Sequence, residues 1–208
     1  MRYTQRRCAD KRMYAPTGPV MTTQKKLLLD QLYEPYRHCT ACPLGNLGRT
    51  QVVFGEGSLD AKIMFIGEGP GQQEDEQGRP FVGRSGKLLN RVLETAGLKR
   101  ADVYIANIVK CRPPNNRKPF PNESKTCKQL LLLKQIGIIK PQVICTLGAA
   151  ALEGLLEQPI KITQVRGRPI ELGKITIIPT YHPAYILRNA KELPQLLGDI
   201  LLAIQKTK

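Results

Sequence analysis

The stretch Lys62-Ile63-Met64-Phe65-Ile66-Gly67-Glu68-Gly69-Pro70-Gly71 passes from unbroken apolar side chains straight into a glycine-rich turn. A strand covered on both faces reads as a continuous apolar run, whereas a half-exposed strand alternates. Three further runs have the same character: Val103–Val109, Gln142–Leu147 and Lys174–Pro179. Stretches with helical character lie near Ser85–Ala96, Asn122–Ile138 and Ala149–Leu156, with others over Thr23–Tyr36 and Leu193–Lys206. Strands that alternate with helices form a parallel sheet with helices on both faces. The expected fold is α/β: a three-layer sandwich with a central four-stranded parallel sheet flanked by helices. Ligands in such folds bind at the carboxyl edge of the sheet, which directs attention to the residues just after each run.

Those residues carry the polar chemistry. The first run leads into Gly67, Gly69 and Gly71, then to Gly78-Arg79-Pro80-Phe81-Val82-Gly83. Glycine lets backbone approach a ligand closely. The pattern is not a dinucleotide fingerprint, because Gln72 stands where the third glycine belongs. It is not a phosphate-binding P-loop either, since Leu88 follows Gly86-Lys87. The second run ends at Asn107, whose amide offers a donor and an acceptor side by side for a base edge. A basic, proline-rich loop with Arg112 and Arg117 follows. The fourth run ends Thr180-Tyr181-His182-Pro183, and an apolar trio, Tyr185, Ile186 and Leu187, precedes Arg188. That trio reads either as a helix start packed on the core or as a wedge entering a duplex beside a phosphate contact. Glu74, Asp75 and Glu76 read as a solvated turn.

Four cysteines form a second pattern, Cys39-x2-Cys42 and Cys111-x15-Cys127. Four thiolates can hold one metal centre, and their spacing alone admits either zinc or an iron–sulfur cluster. Cys145 lies inside the third run and reads as a small core residue. Six cysteines without a secretory apolar stretch read as reduced thiols or metal ligands, and the expected compartment is cytoplasmic.

Bulk composition narrows the partners. The chain has 208 residues, 41% of them hydrophobic, enough for one domain with a sizeable core. Lys plus Arg number 32 against 17 Asp plus Glu, a formal net charge of +15. That balance favours a polyanionic partner, above all nucleic acid, whose binding releases counterions. No apolar run approaches the ~20 residues of a membrane helix. Residues 1–21 are basic and polar without a clean period, and read as a flexible extension ahead of one domain over 22–208. Cys8 lies in that extension and is left out of the metal set.

Taken together, Gly67–Gly71, Gly78–Gly83, Asn107–Arg117 and His182–Asn189 resemble the motifs of the family 4, or iron–sulfur, uracil-DNA glycosylases. The resemblance covers roughly Leu28 to Ile204. It implies the uracil-DNA glycosylase fold and a monofunctional enzyme of base excision repair. Such an enzyme flips deoxyuridine out of DNA and hydrolyses its N-glycosidic bond. Cys39, Cys42, Cys111 and Cys127 then correspond to the ligands of a [4Fe–4S] cluster. Phe81 corresponds to the residue that stacks on the flipped base, and Asn107 to the one that reads its edge. His182 donates toward uracil O2, and backbone around Glu68 and Gly69 helps hold the base. In the best-known branch of the superfamily an aspartate of the first motif positions water. Here that place falls on Gly69, with Glu68 beside it either positioning water or shaping the pocket. The resemblance also implies uracil-containing DNA as partner, with Arg112, Arg117, Tyr185, Ile186, Leu187 and Arg188 on the DNA side. A sliding clamp or replication polymerase joins it as an expected protein partner, and the expected protein is a monomer. The competing expectations are a non-catalytic glycosylase-like module that docks on DNA or a polymerase, and a zinc-stabilised nucleotide-binding protein.

Overall fold

The computed structural model describes residues 19–207, so Cys8 and nearly all of the basic extension lie outside the described residues. Six strands form one sheet: β1 (Glu56–Gly57), β2 (Ile63–Gly67), β3 (Tyr104–Asn107), β4 (Val143–Leu147), β5 (Ile170–Leu172) and β6 (Ile175–Thr180). Their order is β1-β3-β2-β4-β6-β5. The four central strands are parallel, as the apolar runs predict. Two short antiparallel strands are added at the edges. Neither edge strand carries a long apolar run, since both are largely open to solvent.

Successive side chains of the central strands go to opposite faces. Met64, Ile66, Tyr104, Ile144 and Ile177 enter one core. Ile63, Phe65, Ile105, Cys145 and Ile178 enter the other. The first core is closed by α1 (Pro19–Tyr33), the long helix from Pro121 to Ile139, and Ala149–Leu156 (α6). The second is closed by α3 (Arg84–Thr95) and α9 (Leu193–Gln205). On α3 the buried Leu88, Leu89, Val92 and Leu93 make one stripe at helical spacing. The three-layer sandwich is therefore present. Helix α1 starts at Pro19, within the stretch assigned to the extension.

The remaining helices are short: α2 (Gln72–Gln77), α7 (Ile162–Val165) and α8 (Pro183–Ile186). The long helix comprises α4 (Pro121–Cys127), a π turn over Lys128–Leu132 and α5 (Leu133–Ile139). Such turns absorb an extra residue within a helix, and this one begins just after Cys127. Among the described residues no helix is long and apolar enough to cross a membrane.

Strand register sets up the site. Gly67 pairs with Asn107, and Leu147 pairs with Thr180. All four central strands therefore stop along one edge, and their following residues face a common space.

Candidate active site

That space is a cavity of about 640 Å³, lined by Glu68, Gly69, Phe81, Asn107 and His182 among others. Residues from three strand ends and one glycine-rich loop thus meet in one pocket. Gly67 lies just beneath it. A Cβ on Gly67 would come within 2.4 Å of the Asn107 Oδ1 and 2.6 Å of the Phe81 ring. No real side chain sits that close, so the glycine is what lets the ring and the amide share the pocket floor.

Asn107 is 1% exposed, and its Oδ1 has no hydrogen-bond partner within the protein. An orphaned buried acceptor costs about 1–3 kcal/mol. A site that carries this cost gains only when a ligand donor arrives. Phe81 is buried with φ of 50°, in the left-handed region. For a bulky residue that conformation costs on the order of 1–3 kcal/mol and has to be held by its surroundings. Its ring lies 5.8 Å from the His182 ring at 35°.

His182 caps α8: its Nδ1 accepts from the Ala184 N–H at 3.0 Å. That bond leaves the ring proton on Nε2. Burial pushes the imidazole down to about 4, with the Arg188 charge acting in the same direction. The ring is therefore neutral at physiological pH and offers one N–H donor. Glu68 is raised above the usual carboxylate range, first by burial, with Lys118 opposing and Glu153 reinforcing the rise. A half-buried carboxylate of raised basicity can accept a proton from water.

Glu74 and Asp75 do not form a solvated turn. Glu74 Oε1 accepts from Val82 N–H at 2.9 Å and Gly83 N–H at 2.8 Å, just after Phe81. Asp75 is buried and accepts from Thr50 N–H at 2.9 Å. Their partners lie elsewhere in the chain, and nothing in the local acidic triplet announces them.

Several residues assigned to the DNA side are placed differently. Ile186 is 2% exposed and belongs to the second core, so it cannot be a wedge. Tyr185 packs on Tyr181 with ring centroids 4.9 Å apart, yet still lines the cavity. Leu187 and Arg188 are exposed. Arg117 lines the cavity, but its guanidinium is committed to the buried Glu123 through two 2.8 Å bonds and stacks on Phe120 at 3.9 Å. Its first role is therefore to lock the loop after Cys111. Arg112 bonds Asn116 at 2.9 Å at the surface.

Cys39, Cys42, Cys111 and Cys127 line a second, apolar cavity with Val52, Leu130 and Leu131. Among the described residues no three His, Cys, Asp or Glu side chains are grouped closely enough for a single metal ion. Burial pushes the Cys111 thiol up to about 12 and the Cys127 thiol up to about 11. The Lys110 N–H donates to Cys127 Sγ at 3.3 Å. Lys110 Nζ is fully buried beside these sulfurs and has no partner. An unpaired buried ammonium is costly, by several kcal/mol. An anionic centre held by four thiolates would supply its missing counter-charge, so the residues present fit such a group. Cys145 is fully buried in the β4 strand, as expected for a core residue.

Comparison with known proteins places this chain among relatives. Residues 54–204 match the family described as the Uracil DNA glycosylase superfamily. The chain is 52% identical over 183 residues to a type-4 uracil-DNA glycosylase of Thermotoga maritima, covering 87% of this chain and 93% of that one. It is 42% identical over 180 residues to a type-4 uracil-DNA glycosylase of Pyrobaculum aerophilum, covering 82% and 88%. A 147-residue segment of a DNA polymerase from Bacillus phage SP01 is 33% identical, covering 70% of this chain and 16% of the polymerase.

Proposed function

This chain belongs to the type-4 branch of the uracil DNA glycosylase superfamily, and from that premise we propose that its pocket releases uracil from DNA by hydrolysis and leaves an abasic site. The observation that carries the reading of the pocket is the orphaned Asn107 Oδ1. Uracil offers N3–H to that acceptor and O4 to the amide N–H. Cytosine presents an acceptor and a donor at the same two places and leaves both pairs mismatched.

The flipped base lies against Phe81 with its edge on Asn107. The bond from C1′ to N1 breaks, and its electron pair stays on the departing base as a uracil anion. The neutral His182 donates Nε2–H toward O2, where that charge collects. This is preorganised stabilisation of a developing anion in a water-poor pocket. Water adds to C1′, and Glu68 takes its proton. Among the described residues no lysine lines the cavity, and the reaction is assigned to water rather than a Schiff base.

Glu68 gives a pH test. His182 stays neutral from pH 6 to 8, so it adds no ionisation there. The parent enzyme should lose rate as pH falls and Glu68, raised by burial, takes up its proton, and Glu68→Gln should be slower and lack that acid limb. A Glu68→Gln profile that still bends near pH 6.5 would assign the ionisation to the imidazole instead.

The cysteine cavity supports a [4Fe–4S] cluster over zinc. Zinc would draw its four sulfurs to about 3.8 Å from one another, given Zn–S bonds near 2.3 Å. A cluster accepts a wider set of sulfur positions, and the four cysteines match the ligand pattern of the iron–sulfur glycosylases that the sequence resembles. Cys39, Cys42, Cys111 and Cys127 would hold it. When bound, it supplies a structural cross-link rather than reacting groups. Stripping iron should remove visible absorbance, lower the melting temperature and expose the 111–127 loop to protease. Colourless protein that carries zinc would contradict the cluster.

DNA is the polyanion that the +15 charge serves. Arg188, exposed at the cavity mouth, is assigned to a phosphate. Arg188→Ala should weaken binding evenly across sequences and reduce the salt slope by about 1. An unchanged slope would remove Arg188 from the interface. The related segment within a phage DNA polymerase supports action close to replication.

The substrate class is tested with three single-stranded oligonucleotides that differ only in carrying uracil, thymine or cytosine at one position. Base release is expected from the uracil strand alone. Comparable release from cytosine would overturn the assignment of Asn107 as the reader.

A further inference from the structure

Phe81 holds a left-handed backbone in a loop, and the element that fixes it lies far away in sequence. Arg100 stands in the turn before β3. Its Nη1 donates to the Phe81 carbonyl at 3.2 Å and to Asn90 Oδ1 at 2.9 Å. Its Nη2 donates to the Pro80 carbonyl and to Glu56 Oε1, the latter at 2.8 Å. Its Nε also donates to Glu56 Oε1, at 3.0 Å. One planar guanidinium therefore grips two successive carbonyls of the Phe81 loop, while Glu56 and Asn90 fix its own orientation.

The surroundings are built around this grip. Glu56 sits on β1, a two-residue edge strand whose register opposite Ile105 presents the carboxylate to Arg100. Asn90 comes from α3. Helix α3 reaches the loop because Gly86 has no side chain: a Cβ there would lie 1.8 Å from the Phe81 carbonyl oxygen. On the other side of Phe81, Glu74 takes the next two amide N–H groups. The Phe81 backbone is thus held on its carbonyl side by a cation and on its following amides by a carboxylate. A fork of fixed donors suits two adjacent carbonyls, which a lysine ammonium on a flexible stem does not match.

We infer that Arg100 is a positioning residue for uracil excision: by clamping the Pro80 and Phe81 carbonyls it holds the Phe81 ring in the plane that receives the flipped base. It touches no substrate and acts only through that ring. The inference rests on the glycosylase reading above. It gives the short β1 strand a purpose, which is to anchor Glu56 behind the clamp.

A double-mutant cycle tests it on the cluster-loaded full chain. Four proteins are compared: the parent, Arg100→Gln, Phe81→Ala and the pair. Single-turnover uracil release, affinity for abasic duplex and inhibition by free uracil are measured for each. Arg100→Gln is expected to slow release at least tenfold and to weaken inhibition by uracil, with abasic-duplex affinity unchanged. In the Phe81→Ala background the same change is expected to cost less than twofold, because the ring it positions is gone. Asn90→Ala, which removes one support of the clamp and leaves the Glu56 pair, should show a smaller loss with the same coupling, and it serves if Arg100→Gln fails to fold. Equal losses in both backgrounds, or a parent-like rate in Arg100→Gln, would overturn the inference. Absence of uracil release by the parent would instead refute the glycosylase reading, so the two failures are distinct.

Discussion

Changing His182 to alanine is expected to slow uracil release by about 10²–10³-fold, the usual cost of removing one donor to a developing anion. The argument starts from proton placement. Nδ1 is occupied by the Ala184 N–H, so the single ring proton sits on Nε2. Burial keeps the ring neutral by holding it down to about 4. A neutral donor has no charge to lose as the base departs, and its hydrogen bond strengthens as O2 becomes anionic. The loss should fall on the single-turnover rate, with duplex affinity little changed. Stability gives an independent check of the same ionisation. The unfolded imidazole titrates near 6.5 and the folded one near 4, so the unfolded chain binds more protons between those values. Stability linked to His182 is therefore complete above about pH 6.5 and falls as pH drops toward 4. The parent's melting temperature should fall more steeply over that window than the variant's. A His182→Ala rate within tenfold of the parent would remove the residue from the chemistry.

Asn107→Ala should be at least as damaging. Two hydrogen bonds to the base edge are lost, each worth about 1.5–3 kcal/mol where charge develops. Together they predict a loss of about 10²–10⁴ in kcat/KM. The same substitution removes a buried oxygen that has no partner in the protein. The fold should therefore keep its melting temperature even as activity collapses. Activity and stability that fall together would instead make Asn107 a structural amide. This separation matters because the Asn107 Oδ1 and the Phe81 ring both crowd the space over Gly67, so a general disturbance of the pocket is the competing explanation.

Where the sequence was legible, it was so for physical reasons. The central strands are covered on both faces, so β2, β3, β4 and β6 show as apolar runs. Burial on one side leaves its stripe on α3 and α9. Glu68, Asn107 and His182 are legible because they lie at or just after strand ends in a parallel sheet, whereas Phe81, well beyond β2, is singled out only by the resemblance of its motif to the glycosylase family. The features without a local signature depend on partners distant in the chain. Strands β1 and β5 are two and three residues long and carry no run. The apolar trio 185–187 has no period long enough to show that Ile186 turns inward. Arg117 looks like any loop arginine until Glu123 is found buried against it. Arg100 and Lys110 look like surface charges, yet one clamps a loop and the other is fully enclosed. The acid triplet at 74–76 reads as solvated because the amides it accepts are at Thr50, Val82 and Gly83.

The cysteine-lined cavity and the active-site pocket meet at one loop. Cys111 follows Asn107 by four residues, and Arg117 and Glu123 lock the segment that leads on to Cys127. A centre bound there would tether the strand end that carries Asn107 to the long helix without taking part in bond breaking.

The most direct measurement follows a duplex with one U·G pair, counting free uracil and abasic sites in the same time course. Equal amounts of both are predicted, with strand scission only after alkali. A protein that saturates the duplex while every deoxyuridine stays intact would contradict the account and mark the chain as a binding module.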